Sequence, residues 1–137
     1  MRHTLIVDRA TPWPRYNEYE GQLDGRIDGM AVSGHSTDGG WDRIAPGDVL
    51  EIDLRLVRRG AVEIVDASVP LALRHVDGVD YVLVGDVLER DGELVRVESA
   101  VTLEVDLEIN PFPQHKVPDV AVGDRIRVEG SLEMELD

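Results

Sequence analysis

Hydrophobic and polar residues alternate without interruption from Glu93 to Ile109. From Val95 onward the odd positions carry valine, leucine or isoleucine, apart from Ser99, whereas most even positions carry charged side chains. Because successive side chains on a strand point to opposite faces, this pattern predicts a strand with one buried and one exposed face. Its seventeen residues would extend roughly 55 Å, far more than a usual strand, so we expect a bend at Ser99 and Ala100.

A second alternating stretch, Asp124 to Leu136, predicts another long strand with aliphatic side chains and methionine on its buried face. Pairing of unlike charges favours an antiparallel arrangement of the two strands with Glu108 opposite Arg125. A shift of register by two residues would keep the buried face buried and stays open. A shift by one residue is excluded, because it would turn every apolar side chain outward.

The middle of the chain predicts further strands. Asp48 to Val57 alternates, Arg58-Arg59-Gly60 is typical of a turn, and Ala61 to Val69 predicts the next strand, so we expect a hairpin. Tyr81 to Leu88 is apolar at nearly every position, which is typical of a central strand covered on both faces.

The fold class follows from these patterns. No segment of ten or more residues keeps a helical period, valine, leucine and isoleucine dominate the apolar residues, and 13 glycines and 7 prolines supply turns. We therefore predict a single all-β domain over residues 1–137, an antiparallel β-barrel or β-sandwich of about 7–9 strands with little or no helix. The chain from Val84 onward is similar in pattern to the second half of an OB-type barrel.

Two segments of the chain resemble each other. Residues 44–56 read IAPGDVLEIDLRL and residues 120–132 read VAVGDRIRVEGSL. Both have a turn, a Gly-Asp pair and then an alternating strand. Since Gly-Asp before a strand is common in β-barrels, we interpret the resemblance as a shared turn rather than a duplication.

Charge and cysteine content narrow the function classes. The chain has 28 acidic and 14 basic residues, a net charge of −14, and no cysteine. This charge repels phosphate backbones, which argues against nucleic acid as a partner, and suits a basic partner; a GC-rich genome or a salty cytoplasm would give the same composition. The apolar run Leu5–Val7 is too short for a signal-peptide core, and no stretch predicts a membrane span, so we expect a cytoplasmic protein.

Catalytic and metal-binding motifs do not occur in the sequence. The four histidines are far apart along the chain, and the Asp-Gly pairs are better explained as turns than as calcium ligands. We predict no metal site, no cofactor and no catalytic residues, and we favour a non-enzymatic protein.

The aromatic residues are concentrated in predicted loops. Of two tryptophans, three tyrosines and one phenylalanine, all but Tyr81 lie there, although strands usually attract aromatics. They either plug the open end of the core or form an apolar patch edged by His35, His115, Lys116 and Arg15. The partner- or ligand-binding candidates are Trp13, Tyr16, Tyr19, His35, Trp41, Phe112, His115 and Lys116.

Two functions are compatible with these observations. The first is an acidic binding protein, such as an immunity-type inhibitor or an assembly component, whose aromatic loops engage a basic protein partner or a second copy of the chain. The alternative is a small β-barrel enzyme or ligand carrier with loop aromatics around its cavity, where His35 or His115 would be the acid–base group.

Overall fold

The computed structural model describes residues 1–107 and 119–136, so Phe112, His115 and Lys116 lie outside the described residues. The strands are β1 (Arg2–Pro12), β2 (Gly21–Ile27), β3 (Met30–Ser36), β4 (Val49–Val65), β5 (Ala72–Asp77), β6 (Asp80–Asp91), β7 (Leu94–Glu98), β8 (Thr102–Asp106) and β9 (Arg125–Leu136). A short 3-10 turn covers Trp41–Arg43. The predicted all-β class is confirmed, whereas the OB-like pattern and the single-domain organisation stay predictions. Within the two described ranges, no helix has the length and apolar character needed to cross a membrane.

The chain divides into two compact units. Unit 1 contains residues 1–54 and the chain from Leu132, and unit 2 contains residues 55–131. The long strands β4 and β9 therefore each contribute residues to both units.

Unit 1 is built on the antiparallel strands β1, β2 and β3. β1 also pairs antiparallel with the first part of β4, and β3 pairs parallel with the end of β9 at His35 and Glu133. Between β2 and β3 the backbone turns at Asp28 (φ 50°) and Gly29 (φ 80°), as the tight hairpin turn requires. The core contains Leu5, Val7, Leu23, Ile27, Val32, Ile52, Leu54, Leu132 and Met134.

Unit 2 is centred on β6, which pairs antiparallel with β5, β7 and β9. β7 pairs antiparallel with β8, and β8 pairs parallel with β4, with Leu56 beside Val105. The predicted central strand Tyr81–Leu88 lies within β6 and is confirmed: Tyr81 and Val82–Val84 are buried although they alternate between two faces. The core also contains Leu56, Val57, Val62, Val87, Val95, Val97, Leu103, Val105, Leu107, Ile126 and Val128.

The prediction of one long strand over Glu93–Ile109 is wrong. Leu94–Glu98 and Thr102–Asp106 form an antiparallel hairpin, and the predicted bend at Ser99 and Ala100 is its turn. The alternation continues through the turn because odd-numbered residues of β7 lie opposite odd-numbered residues of β8. The buried side chains are therefore the odd-numbered ones in both strands.

The predicted hairpin at Arg58-Arg59-Gly60 is also wrong, because β4 continues through these residues as one strand of 17 residues. Arg58 is almost fully buried, with 1% of its surface exposed. Its Nε donates to the carbonyl of Gly60 at 2.7 Å and its Nη1 to that of Leu107 at 3.2 Å. Hydrogen bonding of the guanidinium to backbone carbonyls lets a charged residue occupy an inward position.

The predicted antiparallel pairing of the Asp124–Leu136 strand with the Glu93–Ile109 segment is wrong for the described residues, because β7 and β8 pair with β6, with each other and with β4. Glu108 itself lies outside the described residues. Arg125 lies opposite Asp86 of β6. Its Nε and Nη2 donate to the two carboxylate oxygens of Asp86 at 2.8 and 2.9 Å. Its Nη1 donates to the carbonyls of Ala67 and Val69 at 2.6 and 2.7 Å. One guanidinium thus joins β6, β9 and the β4–β5 connection through a two-pronged ion pair and two carbonyl bonds.

The Arg125 contact predicts an acid-sensitive part of the stability. Hydrogen bonds from Arg125 hold the pKa of Asp86 below its ordinary value of 3.8. A carboxyl with a lowered folded-state pKa stabilises the fold above the ordinary value, and this stabilisation is lost as pH falls through the lowered one. We expect Arg125→Gln to be less stable than wild type at pH 7, with the difference shrinking toward pH 2 in urea unfolding. Arg59→Gln, an exposed arginine, is the control, and a difference that does not change with pH would contradict the assignment.

The turn before β4 has a specific hydrogen-bond pattern. The Val7 amide donates to the Asp48 carbonyl at 2.8 Å, and the Gly47 amide donates back to Val7 at 2.7 Å. The Asp48 side chain accepts from the amide of Ala45 at 2.9 Å. Gly47 has φ 91°, a left-handed conformation that favours glycine.

The turn before β9 repeats this pattern in unit 2. The Val87 amide donates to the Asp124 carbonyl at 2.9 Å, the Gly123 amide donates back to Val87 at 2.8 Å, and Gly123 has φ 94°. The Asp124 side chain accepts from the amide of Ala121 at 2.9 Å. The two turns are equivalent bond for bond.

The equivalence extends to the strands. A register irregularity follows Val7 in the β1–β2 pair and Val87 in the β6–β7 pair. In unit 1 the antiparallel strands β1, β2 and β3 are followed by β9, which is parallel to β3, and β1 also pairs with β4. In unit 2 the antiparallel strands β6, β7 and β8 are followed by β4, which is parallel to β8, and β6 also pairs with β9. The units are therefore repeats of one architecture in which β4 and β9 exchange roles, and a shared turn alone is too narrow an interpretation.

Candidate functional site

The two repeats differ most clearly in the loop that joins their first two strands, which in unit 1 is the loop between β1 and β2. Thr11 pairs with Gln22 at the base of this loop, and the equivalent residues in unit 2, Asp91 and Leu94, are separated only by Gly92 and Glu93. Unit 1 instead has residues 13–20 beyond β1 and before β2. We call these residues the aromatic loop, since three of the candidate aromatics lie in it. It is an addition to the common architecture, and additions of this kind on a rigid scaffold commonly carry function.

Trp13 begins the aromatic loop and packs against β3. Its ring is stacked on that of His35, with centroids 5.0 Å apart and planes 13° apart. Tyr16 tilts against the same tryptophan at 6.0 Å. The His35 Nε2 lies 3.0 Å from an oxygen of Glu20, so protonation of the imidazole would complete an ion pair. The base of the loop is closed by the Trp13 amide, which donates to the Glu20 carbonyl at 2.9 Å.

Trp41, from the 3-10 turn, holds the other end of the loop. Its indole Nε1 donates to the Tyr19 carbonyl at 2.9 Å. The Gly39 amide donates to the same carbonyl at 3.1 Å. Gly21 allows the close approach of the indole, because a Cβ at that position would lie 2.5 Å from the ring. Asn17 fixes the loop internally by accepting from the amides of Tyr19 and of Glu20 at 2.8 and 3.0 Å.

Exposure separates the tyrosines from the tryptophans. Tyr16 and Tyr19 are 75% and 56% exposed, whereas Trp13 and Trp41 are half-buried. Exposed aromatic rings held on a fixed backbone do not fill a core. Trp13 and Trp41 therefore support the loop, and the two tyrosines present apolar surface outward.

Two grooves adjoin this cluster in unit 1. The first, of about 420 Å³, is lined by the segment Pro12–Tyr16. The second, of about 260 Å³, is lined by His35, Thr37, Asp38, Glu133, Met134 and Glu135. Of the lining side chains in the second groove, three are carboxylates. An aromatic surface and an acidic groove thus meet at His35.

The structure brings five of the eight predicted site residues together in unit 1: Trp13, Tyr16, Tyr19, His35 and Trp41. Phe112, His115 and Lys116 fall outside the described residues. Sequence reasoning missed Asn17, Glu20 and Glu133. The Asn-x-x-Glu spacing within a proline-bounded loop is a signal for the turn that Asn17 and Glu20 make, but Glu133 reaches the site only through the parallel pairing of β9 with β3.

Metal binding receives no support from the described part of the chain, which contains no group of three or more histidine, aspartate or glutamate side chains placed to hold an ion. Comparison with known proteins gives no class: the chain matches no family model, no curated protein and no solved structure. The inference of function therefore rests on the site itself.

Proposed function

We propose that this protein is a non-enzymatic binding module that engages a basic segment of a protein partner with the aromatic loop of unit 1. The observation that carries the proposal is the loop itself: the same architecture closes with two residues in unit 2 and with eight, three of them aromatic, in unit 1.

The chemistry of the loop supports a protein partner. Tyrosine and tryptophan are enriched among the residues that dominate binding energy at protein interfaces, because they supply large contact area with few rotatable bonds. Tyr16 and Tyr19 present this area outward, and the backbone behind them is fixed by a hydrogen bond that Asn17 accepts and one that Trp41 donates. A loop ordered before binding loses little conformational entropy when it docks.

The charge beside the loop supports a basic segment. Asp38, Glu133 and Glu135 line the groove next to His35, and the whole chain has a net charge of −14. A guanidinium or ammonium group would be attracted by the acidic groove and by the faces of exposed tyrosine rings. Such complementarity mainly raises the association rate and the selectivity for basic partners.

Affinity capture from native lysate, with captured proteins identified by mass spectrometry, tests this proposal. The test variant is Tyr16→Ser with Tyr19→Ser, because both side chains are exposed and their removal should leave the fold intact. We expect the variant to bind the captured partner at least tenfold more weakly than wild type, which is the effect of losing about 1.4 kcal/mol of binding energy. The captured partner should contribute a segment rich in arginine or lysine.

The matched control is Ile64→Ser with Val122→Ser, which removes two exposed apolar side chains (49% and 64% exposed) outside the loop. The control should bind as wild type does. Equal binding by all three proteins, or equal weakening of both variants, would place the interaction elsewhere. Fluorescence of Trp13 and Trp41, the two tryptophans of the chain, gives an independent readout of binding at the loop.

The ligand-carrier alternative is supported by one observation, the groove of about 420 Å³, which lies within the usual size of a small-molecule site. Its lining comes from the single segment Pro12–Tyr16, whereas small ligands are normally enclosed by several elements. This favours a protein partner. Saturable quenching of tryptophan fluorescence by a small apolar ligand in the absence of any captured protein would support the alternative.

A further inference from the structure

A third groove lies entirely within unit 2, and its lining residues are distant in sequence from the aromatic loop. Its volume is about 420 Å³. Side chains from β4, β5, β6 and β9 line it: Arg59, Gly60, Arg74, Val76, Asp80, Tyr81, Val82, Arg127, Glu129 and Gly130. Three arginines at one groove are unexpected in a chain with twice as many acidic as basic residues.

The partners of these arginines differ. Arg127 lies 3.3 Å from an oxygen of Glu129 and is only partly exposed. Arg59 and Arg74 are exposed, and neither forms an ion pair with a carboxylate of the described residues. The remaining acidic side chain, Asp80, accepts a hydrogen bond from the Ser131 hydroxyl at 2.9 Å. The groove therefore holds two guanidinium groups whose charge no neighbouring carboxylate of the described chain neutralises.

The strand register places the arginines around an apolar floor. Arg74 of β5 lies opposite Val82 of β6, and Arg127 of β9 lies opposite Val84. Because neighbouring strands are about 4.8 Å apart and the rise is about 3.3 Å per residue, the backbones of these two arginines lie roughly 12 Å apart on the two sides of β6. Val82, which lies between Arg74 of β5 and Glu129 of β9 in the sheet, lines the groove and is 8% exposed. This part of the groove floor is therefore apolar, and charged side chains of the neighbouring strands lie beside it.

We propose that this groove binds a small organic anion, with its phosphate or carboxylate held by Arg59 and Arg74 and its apolar body over Val82. A guanidinium matches both oxyanions because its parallel N–H groups fit two oxygens at once. Pockets with an apolar floor and a few convergent polar groups are typical of small-molecule sites.

The acidity of the whole chain does not prevent this binding. At physiological ionic strength the Debye length is about 8 Å, so distant carboxylates are largely screened, whereas the arginines in the groove act at contact distance. The five charged side chains that line it, three arginines with Asp80 and Glu129, leave a local excess of positive charge.

Titration of the intact protein at 0.15 M salt tests the proposal with three probes: adenosine monophosphate, benzoate and inorganic phosphate. The readout is the arginine side-chain Nε–H signals in ¹⁵N NMR spectra. We expect saturable shifts of the Arg59 and Arg74 signals with adenosine monophosphate or benzoate, and at least tenfold weaker binding by the Arg59→Gln, Arg74→Gln double variant. Binding of the first probe alone would assign a phosphate ester, and binding of the second alone a carboxylate.

The matched control is Arg43→Gln, which removes an exposed arginine of unit 1 and should bind within twofold of wild type. Backbone spectra of each variant confirm that it is folded. The proposal is overturned if no organic probe binds with a dissociation constant below about 10 mM, if the double variant binds as wild type does, or if the control is weakened equally. Binding of inorganic phosphate as tightly as the organic anions would overturn the role of the apolar floor.

Discussion

Replacing Gly85 by leucine is expected to destabilise the protein by about 3 kcal/mol or more, because overpacking of a buried site forces the backbone to move. Gly85 is buried on β6. A side chain there would collide with Val97 of β7 and lie 2.8 Å from the carbonyl of Glu98. The change is measured as the free energy of unfolding in urea, with circular dichroism to follow the loss of strand structure.

The repeat provides a specific rescue for this substitution. The position equivalent to Gly85 in unit 1 is Leu5, and the position equivalent to Val97 is Gly25; a Cβ on Gly25 would lie 2.8 Å from Leu5. In unit 1 the leucine is on the first strand and faces Gly25, whereas in unit 2 the glycine is on the first strand and faces Val97. We expect Gly85→Leu with Val97→Gly to recover part of the lost stability, whereas Ala31→Val, at an exposed strand position, should have little effect. Additive losses in the double variant would contradict the equivalence.

Leu83→Ala is expected to cost about 2–5 kcal/mol, since it removes a fully buried side chain and leaves a cavity. Leu83 is 0% exposed and lies between Leu73 of β5 and Val128 of β9. The loss should appear as a lower urea midpoint with an unchanged slope, because the surface exposed on unfolding stays nearly the same.

Leu88→Ala is the matched control for this substitution, because Leu88 lies on the same strand but is 39% exposed. It removes the same atoms from a site that water already reaches, so we expect a loss below about 1 kcal/mol. Equal losses at the two positions would mean that β6 is not packed in unit 2 as described.

Alternation predicted the strands well and their connections poorly. The pattern over Glu93–Ile109 is the same for one strand and for a hairpin in which odd-numbered residues are buried on both strands. Alternation alone therefore predicts a bend at Ser99, where the chain in fact turns back. In β4 the opposite occurred: Arg58-Arg59-Gly60 resembles a turn, yet Arg58 is buried and its guanidinium bonds to backbone carbonyls. Local polarity does not reveal a buried charge that bonds to one carbonyl two residues away and to another 49 residues away.

The candidate site was predictable in composition and not in geometry. The position of Trp13, Tyr16 and Tyr19 between prolines and the following Asp-Gly pairs indicated an irregular aromatic segment. The stacking of Trp13 on His35 depends on the register of β3 with β2, and the acidic groove depends on a parallel pairing across almost a hundred residues. In sequence the two repeats share only a short Gly-Asp turn. The sequence therefore does not reveal that the repeats are equivalent, which is the observation that identifies the aromatic loop as an addition.

The exchange of β4 and β9 between the repeats also has a consequence for synthesis on the ribosome. Unit 2 is one continuous segment, residues 55–131, whereas β3 of unit 1 meets its parallel partner only in the part of β9 that follows Leu132. At translation rates of about 5–20 residues per second, roughly 4–16 s separate residue 54 from residue 132. During that interval the nascent β3 edge, next to the aromatic loop, has no β9 partner. The first repeat to be translated is therefore the last to be completed. Its unpaired edge is the one more exposed to chaperones or to a neighbouring chain.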